Sequence, residues 1–164
     1  MDWPVIHNEW SLSAQHSTNN PEQFVSNIIY GKDLQLVDGG EQRRSFTYIA
    51  DGISALMRII ENKDGCADSK IFNIGNPTNN ASIKEIAEKI LTIAKNHPQT
   101  KDRAKKIKIV NTNSSQYYGK GYQDMQNRVP AIKRAQEILG WQPTTTLDQA
   151  LKLTADYYFK DTGL

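Results

Sequence analysis

Leu36-Val37-Asp38-Gly39-Gly40-Glu41-Gln42-Arg43-Arg44 is a short apolar run that stops in paired glycines and resumes in two arginines. Gln35 to Val37 reads as a short strand, and Gly39-Gly40 supplies the backbone freedom for a tight turn after it. Forked guanidinium groups just past a glycine turn suit the holding of a phosphate. A second stretch, Tyr117-Tyr118-Gly119-Lys120-Gly121-Tyr122-Gln123-Asp124, has the same chemical character and is followed by Arg128. It has no apolar period, so it reads as a loop lying against a polar ligand rather than as a helix or core strand.

Around these stretches the pattern is mostly helical. Asn20 caps a helix that opens on Pro21, with Glu22 favourable to its dipole, and Gly31 ends it. Phe24, Val25, Ile28 and Ile29 form its apolar stripe. Asp51 is expected to cap a second helix whose core face is Ile53, Leu56, Ile59 and Ile60. Lys70 to Gly75 reads as a strand stopped by Gly75 and Pro77 and lying at a sheet edge. Ser82 and Glu85 have capping-box spacing ahead of a helix with Ile83, Ile86, Ala87, Ile90, Leu91 and Ala94 on one face. Lys101 to Lys108 reads as a solvated linker, and Ile107 to Val110 as a strand. Pro130 opens a helix with Ile132, Ala135, Ile138 and Leu139 that Gly140 ends, and Asp148 to Phe159 is the last helix. Residues 1–19 are expected to be extended or poorly ordered, with residues 20–164 forming the folded portion. About three short strands make a thin sheet for so many amphipathic helices, so the chain reads like part of a larger α/β protein.

Composition narrows the function classes. The chain has 164 residues, enough for one domain with a core, and a net charge of +2, too small to argue for nucleic acid or an anionic membrane. No stretch has the apolar length of a membrane span. The one cysteine, Cys66, excludes an internal disulfide and fits a reducing, cytoplasmic setting. It sits in what looks like a surface turn, with no histidine close by in sequence to activate it as a nucleophile. His7, His16 and His97 lie far apart, and no cysteine or carboxylate pairing gives metal spacing.

The order of motifs resembles a known family. Asp38-Gly39-Gly40 is followed by Arg44-Ser45-Phe46-Thr47, by Asp51-Gly52, by Phe72-Asn73-Ile74-Gly75-Asn76-Pro77, by Ser82-Ile83-Lys84-Glu85, and by Gly140-Trp141-Gln142-Pro143. This order is similar to the C-terminal part of extended short-chain dehydrogenases that act on nucleotide sugars. Tyr117 to Arg128 most resembles the ArnA-like UDP-glucuronic acid decarboxylases, the polymyxin-resistance enzymes that open lipid A modification with aminoarabinose. The resemblance spans about Pro21 to Asp161. It implies an α/β fold, here an α+β fragment: the substrate-binding part of the dehydrogenase without most of its Rossmann sheet.

The resemblance also implies site residues. UDP-glucuronic acid would be held by Gln35, Asp38, Gly39, Gly40, Gln42, Arg43 and Arg44, with Tyr122 touching the nucleotide-sugar. Arg128 would be the catalytic proton donor after decarboxylation. An enolate left by carbon dioxide needs a nearby acid or a fixed positive charge, and a guanidinium supplies the second more readily than the first. Gln35 stands where such relatives carry a lysine, and Tyr48 and Ala50 where they carry charged residues. The full-length family uses NAD, but neither its glycine-rich dinucleotide loop nor its Tyr-x-x-x-Lys pair occurs in this sequence. No cofactor-binding residue is therefore expected here, and the partners expected are a UDP-sugar and either a second copy or a chain supplying the Rossmann half.

Overall fold

The computed structural model describes residues 21–113 and 126–160. Helix α1 (Pro21–Ile29) leads into β1 (Leu34–Val37), and the Asp38–Gly40 turn leads into β2 (Arg43–Ser45). Helix α2 (Ile49–Glu61) follows, then β3 (Asn80–Ser82), α3 (Ile83–Asn96), the single turn α4 (Lys101–Ala104) and β4 (Ile109–Thr112). The two-residue β5 (Asn127–Arg128), α5 (Lys133–Leu139) and α6 (Leu147–Lys160) complete the order. The strands form two small sheets. In one, β1 runs parallel to β4, with Leu34 opposite Ile109 and Val37 opposite Thr112. In the other, β2 is central, antiparallel to β3 and parallel to β5.

Most of the apolar surface is buried around α3. Ile83, Ile86, Ala87, Ile90, Leu91 and Ala94 all face inward, as their spacing predicts, onto Phe24, Val25 and Ile28 of α1, Leu34 and Leu36 of β1, and Leu151, Ala155 and Phe159 of α6. The helix starts on the expected capping box. Ser82 Oγ accepts from the Glu85 amide at 3.0 Å, and Glu85 Oε2 accepts from the Ser82 amide at 2.7 Å. At its far end the buried Thr100 hydroxyl donates to the Ala94 carbonyl at 2.8 Å, satisfying one of the open carbonyls. Gly31 (φ 66°) and Gly140 (φ 58°) take the left-handed conformation that ends α1 and α5.

Several sequence expectations need correction. Lys101–Lys108 is not a solvated linker: it contains α4, and Ala104 and Ile107 belong to the main core. The β4 strand begins two residues later than the apolar pattern suggests, and α5 begins three residues after Pro130. Asp51 does not cap α2. The helix begins at Ile49 with Tyr48 at the cap position, making no side-chain cap bond. Lys70 to Gly75 joins no ladder, because no described strand runs alongside it. An apolar alternation fixes which residues prefer a strand, but a strand exists only with a neighbour to bond to. The largest difference concerns α2. Its expected core face is exposed at Ile53, Leu56 and Ile60, with Ile49 and Met57 on the same side. The helix instead buries Ala55, with Ile59 beside it, against a smaller cluster of Ile132, Ala135, Leu139, Trp141, Phe72 and Ile74.

Candidate functional site

The Gly39-Gly40 turn is built for close approach. Asp38, Gly39 and Gly40 all have positive φ (48°, 79° and 69°). A Cβ on Gly40 would lie 3.0 Å from the Lys84 amide nitrogen and 3.1 Å from Leu36 Cδ2, so only glycine fits between β1 and the first turn of α3. Just before β2 the Gln42 carbonyl accepts from the Ile83 amide at 3.1 Å. The Gln42 Oε1 oxygen is buried and has no hydrogen-bond partner among the described residues.

Arg44 and Arg128, remote in sequence, come together here. In the parallel pairing of β2 with β5, Arg44 is the register partner of Arg128, and Arg43 that of Asn127. Register partners on adjacent strands point to one face of a sheet, about 4.8 Å apart along the hydrogen-bonding direction. Both expected cationic residues thus stand side by side on one surface. The Arg44 guanidinium also donates to the Arg43 carbonyl at 2.7 Å. β5 lies at the sheet edge and is tied to β2 along its length. The Ser45 hydroxyl donates to the Arg128 carbonyl at 3.2 Å, and the Arg43 amide donates to the Gln126 carbonyl at 2.8 Å. Just beyond it, Pro130 lies so near Gly75 that a Cβ there would fall 2.6 Å from the proline ring.

Arg43 has a different environment. Its Nε donates to Asn80 Oδ1 at 2.7 Å, one Nη to the Asn80 carbonyl at 2.7 Å, and the other to Glu85 at 3.4 Å. Glu85 is held below the usual carboxylate range, first by the Ser82 amide and then, against the opposing effect of burial, by the Arg43 charge. Asn80 Nδ2 in turn donates to Asn127 Oδ1 at 2.9 Å. Gln35 is exposed on β1, and Asp38 is exposed at the turn. Tyr122, with the whole of 114–125, lies outside the described residues.

Sequence reading missed Asn80 and Asn127, because β3 and β5 are too short to carry a period. It also missed a polar joint behind the site. Asn76 Nδ2 and Asn79 Nδ2 donate to the Thr145 carbonyl at 3.1 and 3.0 Å, while the Thr145 amide donates to Asp51 Oδ2 at 3.0 Å. The Thr144 amide and hydroxyl donate to Asp51 Oδ1. Burial pushes the Asp51 carboxyl up, but these hydrogen bonds outweigh it, and its pKa lies below the ordinary value. Trp141 is a buried anchor, with Nε1 donating to Ser54 Oγ at 2.8 Å and to the Asp51 carbonyl at 3.1 Å.

Two grooves are lined by none of Arg43, Arg44 and Arg128, although Glu85, the partner of Arg43, lines the first. One, of about 850 Å³, runs between α3 and α6 past Lys89, His97 and Asp156, and the other, of about 610 Å³, lies between Tyr48 and Tyr157. Among the described residues no cluster of histidine, cysteine, aspartate or glutamate could hold a metal, and no helix is long and apolar enough to cross a membrane.

Residues 6–154 match the family described as GDP-mannose 4,6 dehydratase. Among solved structures, the chain is similar to the PbgP3 protein from Burkholderia pseudomallei, at 44% identity and a TM-score of 0.76 over 87% of this chain. It shares a fold with the UDP-glucuronic acid 4-epimerase from Bacillus cereus, a structure in complex with UDP-glucuronic acid and NAD, at 22% identity and a TM-score of 0.65 over 85% of this chain. The dTDP-glucose 4,6-dehydratase from Bacillus anthracis gives 21% identity and a TM-score of 0.62 over 86% of this chain. In each case the match spans 39% of the relative's own length.

Proposed function

The chain belongs to the GDP-mannose 4,6-dehydratase family of extended short-chain dehydrogenases, and from that premise we propose that it is the UDP-sugar-binding portion of an NAD-dependent UDP-glucuronic acid decarboxylase. One observation carries the reading: Arg44 and Arg128 at adjacent register positions on one sheet face, beside the Gly39-Gly40 turn. Two guanidinium groups on neighbouring strands suit a ligand that is anionic at more than one point, and UDP-glucuronic acid carries a diphosphate and a carboxylate. Arg44 would take the diphosphate. Arg128 would face the sugar carboxylate and, once carbon dioxide leaves, stabilise the enolate beside it. Gln42 would turn its buried oxygen to a ligand hydroxyl or amide.

Hydride chemistry falls to the part of the family's length that this chain does not span, in keeping with the missing glycine loop and Tyr-x-x-x-Lys pair. The chain by itself would then bind UDP-glucuronic acid weakly and NAD not at all. Titration followed by NMR tests this. Shifts at residues 38–44 and 128 on adding UDP-glucuronic acid, lost in Arg44→Ala and Arg128→Ala, are the expected result. No shift at millimolar ligand, or micromolar NAD affinity, would overturn it.

A second reading is favoured by the exposed face of α2 and by Lys70 to Gly75, which joins no strand ladder among the described residues: a module that completes its sheet with a separate chain carrying the dinucleotide half. Light scattering separates the two readings. A stable one-to-one complex with such a chain supports the module, and a monomer in its presence supports the fragment.

A further inference from the structure

We infer that Arg43 is a positioning residue that sets the spacing of Arg44 and Arg128, rather than a ligand of the anion; the inference rests on the nucleotide-sugar reading of the site. The geometry is a relay across three strands and a helix cap. Glu85, fixed by the Ser82 amide at the start of α3, meets one nitrogen of Arg43. The other two nitrogens close on the side chain and backbone of Asn80, and the Asn80 amide reaches Asn127. Asn127 directly precedes Arg128, and Arg43 directly precedes Arg44.

Successive residues of a strand point to opposite faces. The register partners Arg43 and Asn127 therefore share one face of the sheet, and Arg44 and Arg128 share the other. The Arg43 side is tied down by hydrogen bonds, and the Arg44 side is where the ligand reading places the anion. β5 is only two residues long, so its ladder alone fixes it poorly. The Asn80–Asn127 bond supplies a side-chain tie, and Arg43 orients Asn80 by holding both of its oxygens. An arginine suits this place because its planar fork reaches two acceptors with fixed geometry, whereas a lysine offers one point charge.

Three variants test the inference: Arg43→Lys, Asn80→Ala and their combination. Each is assayed for binding of UDP-glucuronic acid by NMR titration and for amide hydrogen exchange without ligand. A positioning role predicts that Arg43→Lys, which keeps the positive charge, weakens binding about tenfold. Asn80→Ala, which removes no charge, should weaken it similarly, and the double variant should lose no more than either single one. Without ligand, exchange at the residue 43 amide, whose acceptor is the Gln126 carbonyl, should quicken about tenfold in both single variants while the α3 core amides keep their rates. Full affinity in Arg43→Lys would show that its fork sets nothing at the site, and additive losses in the double variant would show that Arg43 acts independently of Asn80; either overturns the inference. If the unaltered chain binds no nucleotide sugar, the functional reading fails, and exchange alone decides the relay: unchanged exchange at residue 43 in both variants ends it. Arg43→Lys and Asn80→Ala both keep a core untouched, and their melting temperatures confirm that the fold survives.

Discussion

Helices α2 and α3 carry the same kind of sequence and meet opposite fates. Both are amphipathic over more than three turns, with isoleucines and leucines recurring at helical spacing. In α3 the apolar stripe is covered by α1, β1 and α6, and Ile86 is 0% exposed. In α2 the stripe of Ile49, Ile53, Leu56, Met57 and Ile60 faces outward, with Leu56 55% and Ile60 73% exposed. A narrower side of α2, centred on Ala55, is the one that packs. Periodicity reports which side of a helix is apolar, and not whether the chain in hand has anything to lay on it. The contrast can be tested residue by residue.

The largest effect should come from the covered helix. Ile86→Ala removes three buried carbons from a well-packed site and should cost about 3 kcal/mol, within the usual range for large-to-small core changes. Urea unfolding with an unchanged slope measures it. A loss below about 1 kcal/mol would mean that the α3 core is looser than its contacts imply.

Next comes the joint between the two apolar clusters. Asp51 sits in the first turn of α2, yet its carboxylate holds the Thr144 and Thr145 amides at the entry to α6, while the Thr145 carbonyl is held by Asn76 and Asn79. Asp51→Asn keeps one acceptor and should cost about 2 kcal/mol at neutral pH. The pKa of Asp51 is lowered in the folded chain, so its contribution is present above the unfolded pKa and is lost as pH falls through the folded value. The gap between variant and parent should therefore close below about pH 4. A gap independent of pH would show that the carboxylate's charge is not what holds the joint.

The capping box gives a smaller, local test. Ser82→Ala removes one acceptor from the first turn of α3 and should cost about 1 kcal/mol. Because Ser82 also lies in β3 opposite Arg43, amide exchange should rise at the start of α3 and in β2 together. Faster exchange in α3 alone would show that cap and sheet are uncoupled.

These cases indicate what was legible in the sequence. The α3 helix, its capping box, the glycine stops at Gly31 and Gly140 and the β1 strand are local matters, decided by residues close together in the chain, and they appear where expected. The motif order pointed to the nucleotide-sugar dehydrogenases, and the family match agrees. The joining of Arg44 to Arg128 follows from the register of a two-residue strand, too short to show in any periodicity. Asp51 read as a cap because acidic residues favour a helix start. Its actual partners are more than ninety residues away, and no local rule finds them. Lys70 to Gly75 has the composition of a strand and no neighbour among the described strands. Burial and pairing are properties of what surrounds a segment, so they escape a reading confined to the segment.

The smallest effect is expected on the open face of α2. Ile60→Lys exchanges an exposed isoleucine for a residue that is at least as good a helix former, and no described contact is lost. Stability of the chain alone should change by less than about 0.5 kcal/mol, the usual bound for surface positions. The same substitution in Leu56→Lys should behave alike. Concentration supplies the sharper half of the test. If copies of the chain cover this face for one another, the melting midpoint of the unaltered protein rises with protein concentration, and that of Ile60→Lys does not. If a different chain covers it, neither midpoint moves with concentration, and Ile60→Lys abolishes the complex while leaving the free protein intact. A loss of about 2 kcal/mol or more in the dilute, isolated chain would contradict both outcomes. It would mean that α2 is as fully covered as α3, and that the contrast between the two helices does not exist in solution.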